Sequence, residues 1–197
     1  MLVFLTAVFF LLITPGPGVL STAGVGASFG KTPAIRYVTG LFIGTNLVAL
    51  AVVTGVAGLV LAHSMVKPIL LYASITYLTY LAIRVAMAGS NIAFIKRQSP
   101  PGILNGIALQ AINPKAYVVN TTLFTGFPFG YSTYSYEVIV KFFLLNAVWI
   151  PIHILWMIAG IALQRMDLPA KTQRIISIFM GASLLIVVGL AIWQMPG

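Results

Sequence analysis

Thr14-Pro15-Gly16-Pro17-Gly18 (residues 14–18) interrupts the first apolar stretch of the chain, and Asn113-Pro114-Lys115 (residues 113–115) interrupts the fourth. Proline inside a helix removes an amide donor and clashes with the carbonyl four residues earlier. In lipid an unpaired polar group costs several kcal/mol. Two such breaks at bilayer depth are tolerable only where protein or a water-filled cavity meets the freed groups. Thr14-Pro15 and Asn113-Pro114 each read as an N-cap followed by proline at the first helical position. Each therefore predicts a new half-helix whose positive end lies near the membrane centre.

The rest of the chain supplies the membrane. Of its 197 residues 60% are hydrophobic and 7% charged, whereas a soluble domain carries roughly 25% charged residues. The net charge of +9 is scattered in ones and twos between apolar runs, so it forms no nucleic-acid patch. Cysteine is absent, which excludes disulfides, thiolate metal ligands and thiol nucleophiles. The start lacks a basic n-region and runs on into apolar chain, which predicts an uncleaved first helix.

Stretches long enough to span a bilayer fall at roughly 2–25, 37–62, 66–88, 103–126, 138–163 and 173–193. The expected fold is an all-α membrane protein: one transmembrane domain over 1–197 with about six helices, the first and fourth broken. The loops after helices 1, 3 and 5 hold Lys31, Arg36, Arg84, Lys96, Arg97, Arg165, Lys171 and Arg174. Those after helices 2 and 4 hold Lys67 and Lys141. This bias assigns the first set to the cytoplasm and both termini to the outside.

The halves echo one another. The breaks begin about half the chain apart, and so do Asn46 and Asn146 in the second helix of each half. Three helices per half forces opposite insertion. Repeats over about 1–90 and 103–197 with matched helix breaks point to a secondary transporter.

The breaks carry the candidate site: Thr14, Pro15, Gly16, Pro17, Gly18, Asn113, Pro114 and Lys115, with Asn46 and Asn146 beside them. Backbone amides at a helix start bind carboxylates. The carbonyls of Leu11, Ile13 and Gln110 lose their usual donors and can accept from an ammonium group. The alternative is a pair of kinks packed on neighbours. Lys115 either serves the pathway or snorkels to an interface. Asn46 and Asn146 either line a cavity or hold helices together. Tyr77 and Tyr80 share a helix face and fit either packing or the pathway. His153 is either a proton carrier or a packed side chain. Glu137 and Asp167 are the only acids and read as loop or cap residues.

With these features located, the sequence resembles the lysine exporter (LysE/RhtB) family of bacterial amino-acid efflux proteins along nearly its whole length. The resemblance rests on T-P-G-P at 14–17, N-P-K-A at 113–116, Gly40-x-x-x-Gly44 with Gly55, and Tyr77-Leu78-x-Tyr80-Leu81. It implies ion-driven export of amino acids or related metabolites across the bacterial inner membrane. Gly18, Thr45, Val48, Ser74 and Ala82 depart from common family residues and mark a divergent member. Thr45 stands where an acid is frequent. With no acid in any span to balance a second positive charge, the expected substrate is a neutral, zwitterionic amino acid or derivative.

Two other classes compete. A metal-ion exporter of related architecture would need carboxylate, His or Cys clusters, and the two histidines stand far apart. A membrane enzyme would need a nucleophile and base or paired carboxylates, which the spans lack. The expectation is therefore no catalytic residue, no metal, no cofactor and no nucleic-acid partner. The expected partners are a small solute and membrane lipid, in a chain compatible with a homo-oligomer.

Overall fold

Glycine and proline set the element boundaries of this chain. A computed structural model describes residues 1–14, 16–87, 99–166 and 169–193. The elements are α1 (Leu2–Ile13), α2 (Pro17–Phe29), α3 (Lys31–Val53), α4 (Val56–Ala62), α5 (Val66–Met87), α6 (Ile103–Ile112), α7 (Pro114–Thr125), α8 (Tyr134–Arg165) and α9 (Ala170–Trp193). No strand occurs among the described residues. Gly30 (φ 81°) alone separates α2 from α3, and Gly55 (φ 78°) separates α3 from α4. That left-handed backbone favours glycine. Gly55 accordingly splits the stretch expected as one helix over 37–62.

α3, α5 from Pro68 onward, and α8 up to Leu163 are long and apolar enough to cross a bilayer. α1 and α2 make a fourth span if the pair, bent by 50°, counts as one. Among the described residues, length and composition single out these and no more, fewer than the six expected. The fourth stretch falls short because Asn113 divides it into helices of 10 and 12 residues. Lys115, Asn120 and three threonines further lower the apolarity of α7. The outer surface is nonetheless that of a lipid-facing protein: Leu2, Leu59, Leu104 and Phe143 are each more than 70% exposed.

α3 packs chiefly on α6, α2 on α8, and α5 on α9. All three crossings are built on glycine, the third on Gly181, where a Cβ would lie 2.7 Å from the Ala82 carbonyl oxygen. A Cβ on Gly106 would lie 2.3 Å from the Tyr37 carbonyl oxygen, and one on Gly40 would lie 2.0 Å from that of Ile103. A Cβ on Gly160 would lie 2.2 Å from the Ala23 carbonyl oxygen. Between lipid-solvated helices the driving force is close packing and hydrogen bonding, and small residues permit it. Around these crossings Val25, Tyr37, Leu41, Leu81, Leu109 and Trp149 form one buried cluster. Phe4, Val8, Ala49, Leu123 and Leu145 form a second where α1, α3, α7 and α8 meet.

Several charges expected in loops lie in helices. Lys31 and Arg36 belong to the first turns of α3. Arg84 is buried in the last turn of α5 and donates to the Ser99 carbonyl and the Tyr80 hydroxyl. Glu137 and Lys141 open α8, one helical turn apart, and form a 2.7 Å ion pair. Lys141, fully buried, also donates to the Phe124 carbonyl, while Glu137 accepts from the Phe129 amide. α8 starts earlier than its apolar pattern because this pair neutralises and anchors its first turns. Lys96, Arg97 and Asp167 lie outside the described residues.

Candidate functional site

The second break forms as its sequence predicts. Asn113 ends α6 and caps α7: its extended backbone turns the chain, its Oδ1 accepts from the Lys115 amide at 3.1 Å, and Pro114 occupies the first helical position. The Ala116 amide donates to the Asn113 carbonyl at 3.0 Å. The first two amides of α7 beyond the proline are therefore matched within the chain. The Gln110 carbonyl, expected to be freed by Pro114, accepts from the Asn113 amide at 3.3 Å.

The first break forms one step later than expected. Thr14 closes α1, its hydroxyl donating to the Phe10 carbonyl at 2.5 Å. The N-cap of α2 is Gly16, and Pro17 is its first-turn proline. A threonine hydroxyl already committed to the preceding turn cannot cap the next helix, so the residue without a side chain takes that position. Pro15 lies outside the described residues. No side chain caps α2, and no acceptor among the described residues meets the amides of Gly18 and Val19. Among the described residues, the helix start with unmatched amides belongs to the first break, not the second.

The two breaks meet. Lys115 Nζ donates to the Thr14 carbonyl at 3.0 Å, a contact spanning 101 residues of sequence. A Cβ on Gly16 would lie 3.0 Å from the same nitrogen, so the missing side chain is what admits the ammonium. Lys115 is half-buried and lines a cavity of about 50 Å³ with Thr14, Gly16, Gly18, Asn113 and His153. At about 10–15 Å³ per water this holds a few waters.

Sequence reasoning did not single out the side chains of Gln110, Asn120 and Trp149, which also line the cavity with Thr45. Gln110 Nε2 donates to Thr45 Oγ1 at 2.7 Å, and Asn113 Nδ2 donates to Gln110 Oε1 at 3.4 Å. His153 stacks on Trp149 with centroids 3.6 Å apart. Its Nδ1 lies 3.0 Å from the Trp149 carbonyl. A carbonyl can only accept, so Nδ1 carries the proton, and a neutral ring leaves Nε2 as an acceptor. That atom faces Gly18: a Cβ there would lie 3.5 Å from it.

The remaining candidates stand apart from the cavity lining. Asn46 and Asn146 exchange hydrogen bonds of 3.2 and 2.8 Å, and each amide also donates to the carbonyl one turn earlier, Phe42 and Phe142. Tyr77 donates to the Asn105 carbonyl at 3.1 Å and Tyr80 accepts from Arg84. No group of three or more His, Asp, Glu or Cys among the described residues is placed to hold a metal.

A bent first helix, a capped break in the fourth stretch and a cavity joining them are the features of this membrane protein that a translocator would use. The chain matches the family model described as LysE type translocator over residues 9–194, nearly its whole length. It belongs to the LysE translocator family. No curated protein and no solved structure matches it.

Proposed function

We propose that the protein is a secondary-active exporter of neutral amino acids or related zwitterionic metabolites across the bacterial inner membrane. The observation that carries this reading is the junction of the two breaks: Lys115 and the open amides of Gly18 and Val19 face one cavity. An ammonium beside a positive helix end favours an incoming carboxylate. Among the described residues the Lys115 ammonium has one polar partner, the Thr14 carbonyl, which a carboxylate would replace. A second positive charge on the solute would meet no acid around the cavity, and an unpaired desolvated charge costs several kcal/mol.

Two inverted three-helix repeats, with both termini outside, would give this site alternating access. The Asn46–Asn146 exchange supports that reading, because partners 100 residues apart repeat each other's bonds, down to Phe42 and Phe142. A contact on a two-fold axis has this reciprocal form. His153, with Nε2 toward Gly18, is the titratable group suited to move a proton through the cavity. His153→Gln keeps a polar side chain but cannot titrate, so it should flatten the dependence of export on pH. An unchanged profile would leave His153 as a packing residue.

The test is efflux from proteoliposomes loaded with individual labelled solutes, alongside reporters fused after residues 31, 97 and 170 and at the C-terminus. Expected are export of one or more neutral amino acids, cytoplasmic signals at the three internal sites and an outside signal at the end. Preference for lysine or arginine over every neutral amino acid would overturn the substrate assignment. Transport of divalent metal ions alone would favour the metal-ion exporter. A cytoplasmic C-terminus would remove the inverted repeat.

A further inference from the structure

Asn120 lies on α7 about one and a half turns beyond Lys115. It is 2% exposed and lines the same cavity. Its Nδ2 donates to the Ala116 carbonyl at 2.7 Å. A carbonyl accepts only, so the nitrogen must take that side and the oxygen the other. Asn120 Oδ1 is then a buried acceptor with no hydrogen-bond partner among the described residues. A buried amide oxygen is rarely left unmatched without a reason.

The end of α1 repeats the polarity. Leu11 and Leu12 line the cavity at the end of α1. Their carbonyls find no donor among the described residues, because Pro15 has no amide hydrogen and the Gly16 amide does not turn back. The lining therefore holds both polarities. Lys115 with the Gly18 and Val19 amides supplies donors, whereas Asn120 Oδ1 and the α1 carbonyls supply acceptors.

We infer that Asn120 holds the ammonium group of the transported solute, with the carbonyls at the end of α1 completing its shell. This deepens the export reading above and rests on it. The solute enters in one orientation, carboxylate toward Lys115 and α2, ammonium toward α1 and Asn120. Five residues of α7 rise about 7.5 Å, a separation that the flexible lysine stem shortens as it reaches the carboxylate. Asn120 selects by hydrogen bonding, so it reads N–H donors and not positive charge alone.

Binding to the full chain in lipid nanodiscs tests this, with tritiated L-alanine, L-threonine, L-leucine and L-methionine as probes. Competitors are the matching desamino acids, which lack the ammonium, and the N-trimethyl derivatives, which keep the charge but carry no N–H. The parent should prefer an amino acid over its N-trimethyl derivative by about 10- to 100-fold, the range expected for a charge-assisted hydrogen bond. Asn120→Leu should erase that preference while melting at or above the parent temperature, since it deletes an unmatched buried oxygen. Asn120→Asp provides a second reading: amines lacking the carboxylate should compete at least tenfold better than against the parent. Full retention of the N–H preference by Asn120→Leu, or an Asp variant indifferent to amines, would overturn the assignment of Asn120 while the export reading stands. A parent that binds none of the four probes and exports no neutral amino acid would remove both.

Discussion

Lys115→Met should lower export by more than tenfold at matched membrane abundance while leaving insertion and folding intact. Methionine keeps most of the length and the apolar stem but deletes the charge. The lysine is held by α7 through its capped amide and reaches the Thr14 carbonyl across the gap left by Gly16. Among the described residues that hydrogen bond is its side chain's only polar link to the chain, so packing gives the ammonium little reason to be there. An intramembrane Lys costs about 2.5–3.5 kcal/mol on insertion scales, so the variant should be at least as stable as the parent. What it loses is the counter-charge for a carboxylate. Lys115→Arg should restore only part of the activity, because the planar guanidinium is wider than an ammonium and the space over Gly16 is narrow. The check is efflux from proteoliposomes normalised to protein, paired with thermal melting in detergent. Normal efflux by the methionine variant would exclude this break as the anion-binding end.

Gly106→Val should prevent accumulation of folded protein. Even the first carbon of a side chain would lie 2.3 Å from the Tyr37 carbonyl oxygen and 2.6 Å from the Leu41 nitrogen. Both are backbone atoms, so no rotamer change gives relief and α3 must move away from α6. Overpacking of this kind costs on the order of 1–3 kcal/mol even where side chains can yield, and here none can. The displacement would also part the Gln110–Thr45 bond on the same helix pair. Gly58→Val is the control: no atom lies within 4 Å of a Cβ there, and its cost should be limited to helix propensity. Membrane abundance and melting temperature measure both. A Gly106→Val protein that accumulates and melts like the parent would mean that the α3–α6 crossing is not as tight as described.

The Asn113-Pro114 break was legible to the residue, because an N-cap side chain and a first-turn proline act locally and nothing distant competes. Thr14-Pro15 misled for a reason equally local. The threonine could cap forward or bond backward, and the hydroxyl took the Phe10 carbonyl, leaving the cap to Gly16. Hydropathy found the apolar stretches but not their division at Gly55, which depends on a positive φ. Lys141 read as a loop charge because its neutralising partner, Glu137, and its acceptor at Phe124 become neighbours only once α8 is wound. The meeting of Lys115 with Thr14 was beyond sequence reasoning, since it depends on how two breaks half a chain apart are brought together. Gln110 and Asn120 carried a signal that went unused: amides in apolar stretches, three before and seven after Asn113, on the helix face that the break itself defines.

The bond from Lys115 to the Thr14 carbonyl also bears on the return stroke. A carrier that releases its cargo outside must turn back unloaded, and a bare ammonium in its middle would be the summit of that journey. An internal carbonyl gives the charge a resting partner whenever the carboxylate has left. On the proposed export reading, cargo and backbone would take turns at the same nitrogen, and the empty turn need not be the slow one. Net efflux should then run nearly as fast as exchange of labelled for unlabelled solute, the signature of a carrier that travels home as readily as it travels out.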